Sequence, residues 1–173
     1  LEMMQSVMGK HGAVIWHKAQ GVDQSPVVPY QERKSISTER TFAKDTIDVV
    51  KLEGIIVAMT ENLAYQLRRG DKLTSCITVK IRYSDFNTHT LQARIPYTAA
   101  DHLLIPKVKE LFQKLFERRL LVRLVGVRFS HLVGGGYQMN LFEESEELSK
   151  LYSAMDHIRQ RFGDRSVLRA VSL

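Results

Sequence analysis

Two stretches in the middle of the chain, at 75–83 and 90–95, alternate strictly between apolar and polar side chains. The apolar side chains that fall on one side are Ile77, Val79, Ile81, Leu91, Ala93 and Ile95. A period of two is typical of a strand with one buried face, and the polar stretch 84–88 predicts a turn that joins the two strands as a β-hairpin. A chain with this hairpin needs an apolar layer on one side of its sheet.

An amphipathic helix is predicted before the hairpin. Its apolar stripe, at spacings of three and four residues, consists of Val49, Leu52, Ile56, Met59, Leu63 and Leu67. Asp45, with Asp48 three residues later, is the candidate N-cap. Arg68 and Arg69 occupy the last turn and Gly70 follows, which is where helix ends favour cations and glycine.

A second amphipathic helix is predicted over 98–119, after the hairpin. Its apolar stripe consists of Leu104, Val108, Leu111 and Leu115. Thr98 and Asp101 are the candidates to cap its start. Because Pro106 lacks an N–H, the alternative is a regular helix that begins only at Pro106, with an irregular turn before it.

A first strand at 34–42 and a last strand at 122–129 complete the order β-α-β-β-α-β. Val125, Val127 and Phe129 mark the inner face of the last strand. The predicted fold is therefore α+β, with a split βαβ, four-stranded sheet and two helices on one face, because crossovers between parallel strands are right-handed. The opposite face of the sheet has no predicted covering layer.

The uncovered face of the sheet is predicted to carry hydroxyls, amides and cations. Its expected outward residues are Ser35, Ser37, Thr78, Lys80, Arg82, Thr90, Gln92, Arg94, Gly126 and Arg128. The hairpin strands place no carboxylate there, whereas an ordinary solvated face mixes both signs of charge. Such side chains contact nucleic-acid phosphates, so the face predicts a grip on the duplex backbone, with a merely solvated surface as the alternative. The face lacks the outward aromatic pair with which RNA-binding sheets stack bases.

The charge balance favours a polyanionic partner. The chain has 25 Lys and Arg residues against 19 Asp and Glu residues, a net charge of +6. No apolar run approaches the ~18 residues of a membrane span and no signal-peptide pattern is found, so we expect no membrane partner and a cytoplasmic location. Cys76 is the only cysteine, which excludes an internal disulfide and a thiolate metal cluster.

Two segments precede the predicted central domain, which spans 34–132. Residues 1–23 are expected to be a helical remnant, interrupted at Gly9 and Gly12 and too short to fold alone. Residues 24–33 contain two prolines and no periodicity, so they are predicted to form an extended linker.

Two further segments follow the central domain. Residues 133–147 begin with consecutive glycines and are predicted to be a flexible segment. Residues 148–173 hold a C-terminal helix and tail, and the apolar stripe of this helix consists of Leu148, Leu151, Met155, Ile158 and Phe162. The stripe is expected to pack on the central domain or on a partner, and a stabilising role within the chain is the preferred interpretation.

Several segments resemble Y-family DNA polymerases of the DinB type. The little-finger domain of that family is similar to KSISTERTF (34–42), ITVKIRYSDFNTHT (77–90) and RRLLVRLVGVRFSHL (118–132), in this order and at fitting distances. The end of the thumb domain is similar to GKHGAVIWHKAQGVD (9–23), and a terminal segment of many members is similar to MDHIRQRFGDRSVLRA (155–170). The resemblance therefore covers nearly the whole chain.

The resemblance implies a domain that lies along the major groove of primer-template DNA. Carried onto this sequence, the implied DNA contacts are Lys34, Ser35, Ser37, Arg40, Thr41, Lys80, Arg82, Tyr83, Ser84, Thr88, His89, Thr90, Arg128, Ser130 and His131. Alternation adds Thr78, Gln92 and Arg94 to this candidate DNA-binding set. The family also implies a monomer and a parent enzyme that is an error-prone, lesion-tolerant DNA-directed DNA polymerase.

A short motif follows the glycines in the flexible segment. Gln138, Leu141 and Phe142 have the spacing Gln-x-x-Leu-Phe, which resembles the peptide by which bacterial polymerases bind the sliding clamp. An apolar anchor pair on a flexible tether is a common recognition mode, and the Gln amide is suited to the rim of a pocket. The alternative is that Leu141 and Phe142 pack locally on the sheet edge or on the last helix.

No catalytic constellation is found in the sequence. Two-metal phosphoryl transfer needs convergent carboxylates, and no glycine-rich phosphate loop or nucleophile set is present. The resemblance implies that the magnesium-binding carboxylates lie in a palm domain N-terminal to Leu1, so this part of the protein is expected to hold no cofactor and to be inactive alone. The alternatives are a stand-alone ferredoxin-like regulatory module and a nucleic-acid-binding protein that is not a polymerase.

Overall fold

The computed structural model describes residues 1–29, 32–116, 119–134, 146–164 and 166–170. The chain divides into two compact units, Leu1–Glu32 and Arg33–Leu173. The first unit holds two short helices, α1 (Glu2–Met8) and α2 (Lys10–Ala19).

Gly9 and Gly12 of the first unit differ in their effect on the helices. Gly9 separates α1 from α2 with a positive φ of 59°, as the sequence predicted. The predicted interruption at Gly12 is wrong, because Gly12 is a buried residue inside α2. A Cβ at this position would collide with the backbone carbonyl of Met4, so Gly12 permits the close approach of α2 to α1.

The second unit contains a sheet and three helices among its described residues. Its elements are β1 (Ser35–Thr46), α3 (Val49–Arg69), β2 (Lys72–Tyr83), β3 (Thr88–Thr98), α4 (Asp101–Leu115), β4 (Val122–Ser130), β5 (Val133–Gly134) and α5 (Glu146–Phe162). Four strands form an antiparallel sheet in the order β1-β4-β2-β3, and the short β5 pairs with the start of β2. The predicted split βαβ arrangement is confirmed, because β4 lies between β1 and β2, and β2 lies between β3 and β4. The sequence did not predict β5.

Helices α3 and α4 cover one face of the sheet, as predicted. The apolar stripes of both helices share a single core with the inward residues of the sheet. Leu52, Leu104, Phe112 and Phe129 are fully buried in that core. The carboxylate of Glu53 on α3 joins the two helices, since it accepts a hydrogen bond from Gln113 and pairs with Lys109 at 2.9 Å. These contacts lower the pKa of Glu53, and the hydrogen bond from Gln113 has the largest effect.

The start of α3 differs from the prediction. Strand β1 extends to Thr46, so the predicted N-cap Asp45 lies inside the strand. Asp48 caps the helix instead, and its Oδ1 accepts a hydrogen bond from the backbone N–H of Lys51 at 3.1 Å.

We expect Asp48→Ala to reduce the free energy of unfolding by about 1 kcal/mol, because the substitution removes the acceptor of an N-terminal helix N–H. Urea denaturation followed by circular dichroism measures this change. The matched control is Asp45→Ala, which removes one member of a partly exposed ion pair with Arg123 at 3.7 Å. Such pairs contribute little, so this substitution should reduce the free energy of unfolding by less than Asp48→Ala does. A larger loss for Asp45→Ala than for Asp48→Ala would contradict the assignment of the cap.

The start of α4 decides between the two predictions for this helix, one with a start near Thr98 and one with a start at Pro106. The helix begins at Asp101 and contains Pro106, so the alternative of a helix beginning at Pro106 is wrong. Pro106 is the sixth helical residue, and its missing N–H removes one hydrogen bond near the N-terminal end. Thr98 does not cap the helix, because its hydroxyl accepts a hydrogen bond from Ala100, the residue before the first turn.

The C-terminal helix α5 packs on the second unit through a face that overlaps the predicted apolar stripe only in part. Tyr152 and Arg159 are its buried residues, at 3% exposure each. Leu151, Ile158 and Phe162, which belong to the predicted apolar stripe, are 51%, 42% and 67% exposed. The stripe therefore does not cover the core, and polar contacts attach the helix to the domain.

Candidate nucleic-acid interface

Pairing between the strands orders the side chains of the uncovered face into four cross-strand rows. Each row runs in the strand order β1, β4, β2, β3. The first row is Ser35, Ser130, Cys76 and Arg94, and the second row is Ser37, Arg128, Thr78 and Gln92. The third row is Glu39, Gly126, Lys80 and Thr90, and the fourth row is Thr41, Leu124, Arg82 and Thr88. Neighbouring rows are about 6.7 Å apart, because successive side chains on one face are two residues apart along a strand. The face therefore extends for about 20 Å along the strands.

Three arginines are distributed over this face. Arg128 donates a hydrogen bond to the hydroxyl of Ser35 at 3.1 Å, and Arg82 donates one to the hydroxyl of Thr88 at 2.8 Å. Arg94 is exposed and has no hydrogen-bond or ion-pair partner among the residues that the structure describes. Because both partnered arginines contact neutral groups, each keeps an uncompensated positive charge at the surface.

Glu39 is a residue of this face that the sequence analysis missed. Its Oε1 lies 2.8 Å from the Nζ of Lys80, two strands away, and the side chains are 42% and 30% exposed. Gly126 lies between them, and a Cβ there would be only 2.8 Å from the Glu39 Cγ. The absence of a side chain at Gly126 thus allows the Glu39 side chain to cross β4. Counting alternate positions from Ser35 and Ser37 would have found it.

Three predicted contact residues do not lie on the uncovered face. Tyr83 is fully buried in the core, and its hydroxyl lies 3.3 Å from the carbonyl oxygen of Leu115. His89 lies on the helix-covered side of β3, and its ring packs edge-on against that of Tyr83, with 5.8 Å between the ring centroids. Arg40 points to the helix-covered side of β1, beside α3. Alternation from Ile77 and from Ser35 places all three inward, whereas the resemblance alone placed them among the contacts.

The remaining predicted contacts lie at the ends of the strands. Lys34 is exposed just before β1, and His131 is exposed just after β4 with a positive φ of 53°. Ser84 is half-buried in the hairpin turn, where its N–H donates to the carbonyl of Leu121.

Gln138, Leu141 and Phe142, the predicted clamp-binding motif, lie outside the described residues.

A second cluster of charges attaches α5 to the domain and was not predicted. Arg68, at the end of α3, donates two hydrogen bonds to the carboxylate of Asp156 at 2.7 and 2.9 Å. The same guanidinium donates to the carboxylate of Asp101 at 2.7 Å and to the carbonyl of Ala99 at 2.9 Å. It also lies over the ring of Tyr152, 5.0 Å from the centroid.

The environment of this cluster shifts two pKa values. Burial disfavours the charged form of Arg68, but the hydrogen bonds that Arg68 donates to Asp156 and the charge of Asp101 outweigh it, so the pKa of Arg68 is raised. Burial, followed by the charge of Asp101, raises the pKa of Tyr152. The hydroxyl of Tyr152 accepts a hydrogen bond from the backbone N–H of His102 at 3.1 Å, which fixes α5 to the first turn of α4.

Neither a metal centre nor a membrane span is found in the part of the chain that the structure describes. No group of three or more potential metal-ligating side chains converges there. None of the helices searched is both long enough and apolar enough to cross a bilayer.

The fold and the face define a class, a two-layer α+β module whose open sheet surface is mainly cationic and hydroxylated. The model of the impB/mucB/samB family C-terminal domain matches residues 33–141. The chain belongs to this family, and the resemblance to Y-family polymerases of the DinB type is confirmed.

Known relatives of the chain are DNA polymerases IV. The chain is 30% identical to the DNA polymerase IV of Clostridium acetobutylicum over 178 residues, which cover 100% of the chain and 45% of the relative. It is 33% identical to that of Dehalococcoides mccartyi over 172 residues, 95% of the chain and 43% of the relative. For Methanoculleus marisnigri the identity is 35% over 128 residues, 74% of the chain and 36% of the relative. The chain thus spans less than half the length of these relatives.

Proposed function

We propose that this chain is the DNA-gripping little-finger region of an error-prone translesion DNA polymerase. In this proposal the uncovered face of the sheet binds primer-template duplex through its phosphates. The carrying observation is that Arg82, Arg94 and Arg128 lie on one face with hydroxyl and amide side chains between them. Family membership and relatives that are DNA polymerases IV support the same conclusion.

The parent enzyme in this proposal is a DNA-directed DNA polymerase that acts as a monomer in the cytoplasm. Its magnesium ions would be held by a palm domain outside this chain, since the described residues offer no matching carboxylate cluster. This part of the protein contributes binding and orientation of the duplex. It is expected to show no nucleotide incorporation alone.

The salt dependence of duplex binding tests the proposal. If the three arginines of the face contact phosphates, the slope of log K against log salt is about −2.7, from about −0.9 for each contact with B-form DNA. Titration of the chain into labelled primer-template duplexes of two unrelated sequences, between 50 and 200 mM salt, measures this slope. Equal affinities and slopes for both duplexes support backbone recognition, whereas a flat salt dependence would exclude it.

We further propose that Gln138, Leu141 and Phe142 bind the bacterial sliding clamp. The support is the spacing of the motif, its apolar pair and its position directly after the domain in the sequence.

We expect the chain to bind a bacterial sliding clamp saturably, because Leu141 and Phe142 provide an apolar anchor pair. Changing Gln138, Leu141 and Phe142 together to alanine should reduce the affinity at least about 100-fold, since buried anchor residues carry most of the energy of such interfaces. Isothermal titration calorimetry with the purified clamp measures the affinity of the unmodified chain and of the triple variant. The matched control changes Leu151, Ile158 and Phe162 to alanine, exposed apolar residues that resemble the motif in character. Binding that survives the first triple change but not the second would contradict this proposal.

A further inference from the structure

The third row of the uncovered face combines three features that suit a control on phosphate binding. Lys80 occupies the centre of the sheet on β2, and its nearest strand neighbours on the face are Gly126 and Thr90. Its ammonium group pairs with the carboxylate of Glu39 at 2.8 Å. The pair is partly exposed, with the Lys80 side chain at 30%, so solvent and ligands reach it.

The carboxylate reaches Lys80 only because residue 126 has no side chain. Glu39 belongs to the edge strand β1, and β4 separates it from Lys80. The Glu39 side chain lies across β4 above Gly126, where a Cβ would be 2.8 Å from its Cγ and 3.3 Å from the carbonyl oxygen of Thr38. Any larger residue at position 126 would displace Glu39 from this path.

This geometry has a direct electrostatic consequence. The three arginines of the face contact hydroxyls or have no partner, whereas Lys80 is neutralised by a negative charge. A carboxylate at this position also repels an approaching phosphate. The centre of the face is therefore close to neutral, with cations only in the rows on either side.

We propose that Glu39 sets the strength of the grip, because it withholds Lys80 from phosphates and so limits the affinity of the face for duplex DNA. The inference rests on the proposed function, because it needs the face to bind a polyanion. The ligand class is the phosphate backbone of duplex DNA. A limited affinity lets the duplex slide along the face, since purely electrostatic contacts do not depend on sequence.

The test is the substitution Glu39→Gln, which keeps the size of the side chain and removes its charge. We expect about a threefold to eightfold higher duplex affinity at 0.1 M salt, because one further phosphate contact contributes up to about 0.9 log units. The slope of log K against log salt should become steeper by about 0.9. Adding Lys80→Ala to Glu39→Gln should abolish the gain, and circular dichroism confirms that each variant is folded.

Glu110→Gln is the matched control. Glu110 is also partly exposed, with its side chain at 41%, and is paired with lysines, at 2.7 Å to Lys107 and 2.6 Å to Lys114, but it lies on α4 on the opposite side of the sheet. The substitution Glu110→Gln changes the net charge of the chain by as much as Glu39→Gln does, but it should leave the duplex affinity and its salt slope almost unchanged. A gain for Glu39→Gln that disappears without Lys80 supports the proposal.

Three outcomes would overturn the inference in distinguishable ways. If the unmodified chain binds no duplex, the proposed function fails and the inference fails with it. If the unmodified chain binds with the expected salt slope but Glu39→Gln does not bind more tightly, the inference alone fails. If Glu39→Gln and Glu110→Gln raise the affinity equally, net charge explains the gain and no local control by Glu39 exists.

Discussion

Changing Arg82, Arg94 and Arg128 together to alanine is expected to lower the affinity for duplex DNA about 500-fold at 0.1 M salt. Each arginine that neutralises a phosphate contributes about 0.9 log units at this salt concentration relative to 1 M, so three contribute about 2.7. The loss should be the same for duplexes of unrelated sequence, because phosphate contacts carry no base information. Fluorescence anisotropy with two labelled duplexes measures it.

A control for this triple change uses three lysines on the helical side. Lys51 lies on α3, and Lys107 and Lys114 lie on α4, so changing them to alanine removes the same net charge from the opposite side of the sheet. This variant should lose less than about threefold in affinity, since its charges lie a sheet thickness away and salt screens them. Similar losses for both triple variants would mean that the net charge of the chain, and not the uncovered face, determines binding.

Arg68→Met is expected to reduce the free energy of unfolding of the second unit by about 3–5 kcal/mol. The substitution leaves the 14% exposed carboxylate of Asp156 without its cation, and the fully buried carboxylate of Asp101 with only Arg169, at 3.9 Å, among the cations that the structure describes. Removing one member of a buried ionic cluster costs more than the cluster contributes, because the remaining charges stay desolvated. Urea denaturation at neutral pH, followed by circular dichroism, measures the change.

Arg69→Met is the control for this prediction, since Arg69 is the next residue of α3 and is exposed. It should change stability by less than about 0.5 kcal/mol. A second comparison adds Asp156→Asn to Arg68→Met, which should recover part of the loss because it neutralises the carboxylate that lost its cation. If Arg68→Met were no worse than Arg69→Met, α5 would not depend on this cluster for its attachment.

The cations of these two predictions lie on different surfaces of the same domain. Arg68 and its partners attach α5 on the helical side, where largely buried carboxylates accept the hydrogen bonds of the guanidinium. The arginines of the uncovered face have neutral partners or none, and two of them, Arg94 and Arg128, are exposed. Buried cations with carboxylate partners stabilise a single arrangement, whereas exposed cations with neutral partners are available to a ligand.

Periodicity predicted most of the sheet and both covering helices. The alternation of Ile77, Val79 and Ile81 in β2 assigned each residue of the strand to a face, because a strand has a strict period of two. The same rule excludes Tyr83 from the outward face, although the family resemblance had included it. Local patterns thus decide which face a residue occupies, while a resemblance transfers roles without checking orientation.

Other features depend on contacts between residues far apart in the chain. Ion pairing of Glu39 with Lys80 requires β4 to lie between β1 and β2 and to present Gly126 at that row. No local pattern around Glu39 indicates this order of strands. The face of α5 that packs inward was also not predictable, because Tyr152 and Asp156 are polar and their partners, His102 and Arg68, lie 50 and 88 positions earlier in the chain.

The sequence by itself determined the order of the elements, the two layers of the fold and the cationic character of the open face, because these follow from spacings of two, three and four residues and from the identity of the side chains. It also determined the family, through motifs that extend over nearly the whole chain. Only the tertiary structure decided which cations are free and which are paired, since pairing depends on which strands are neighbours. Lys80 and Arg82 look equivalent in the sequence, but only Lys80 lies opposite a carboxylate across a glycine.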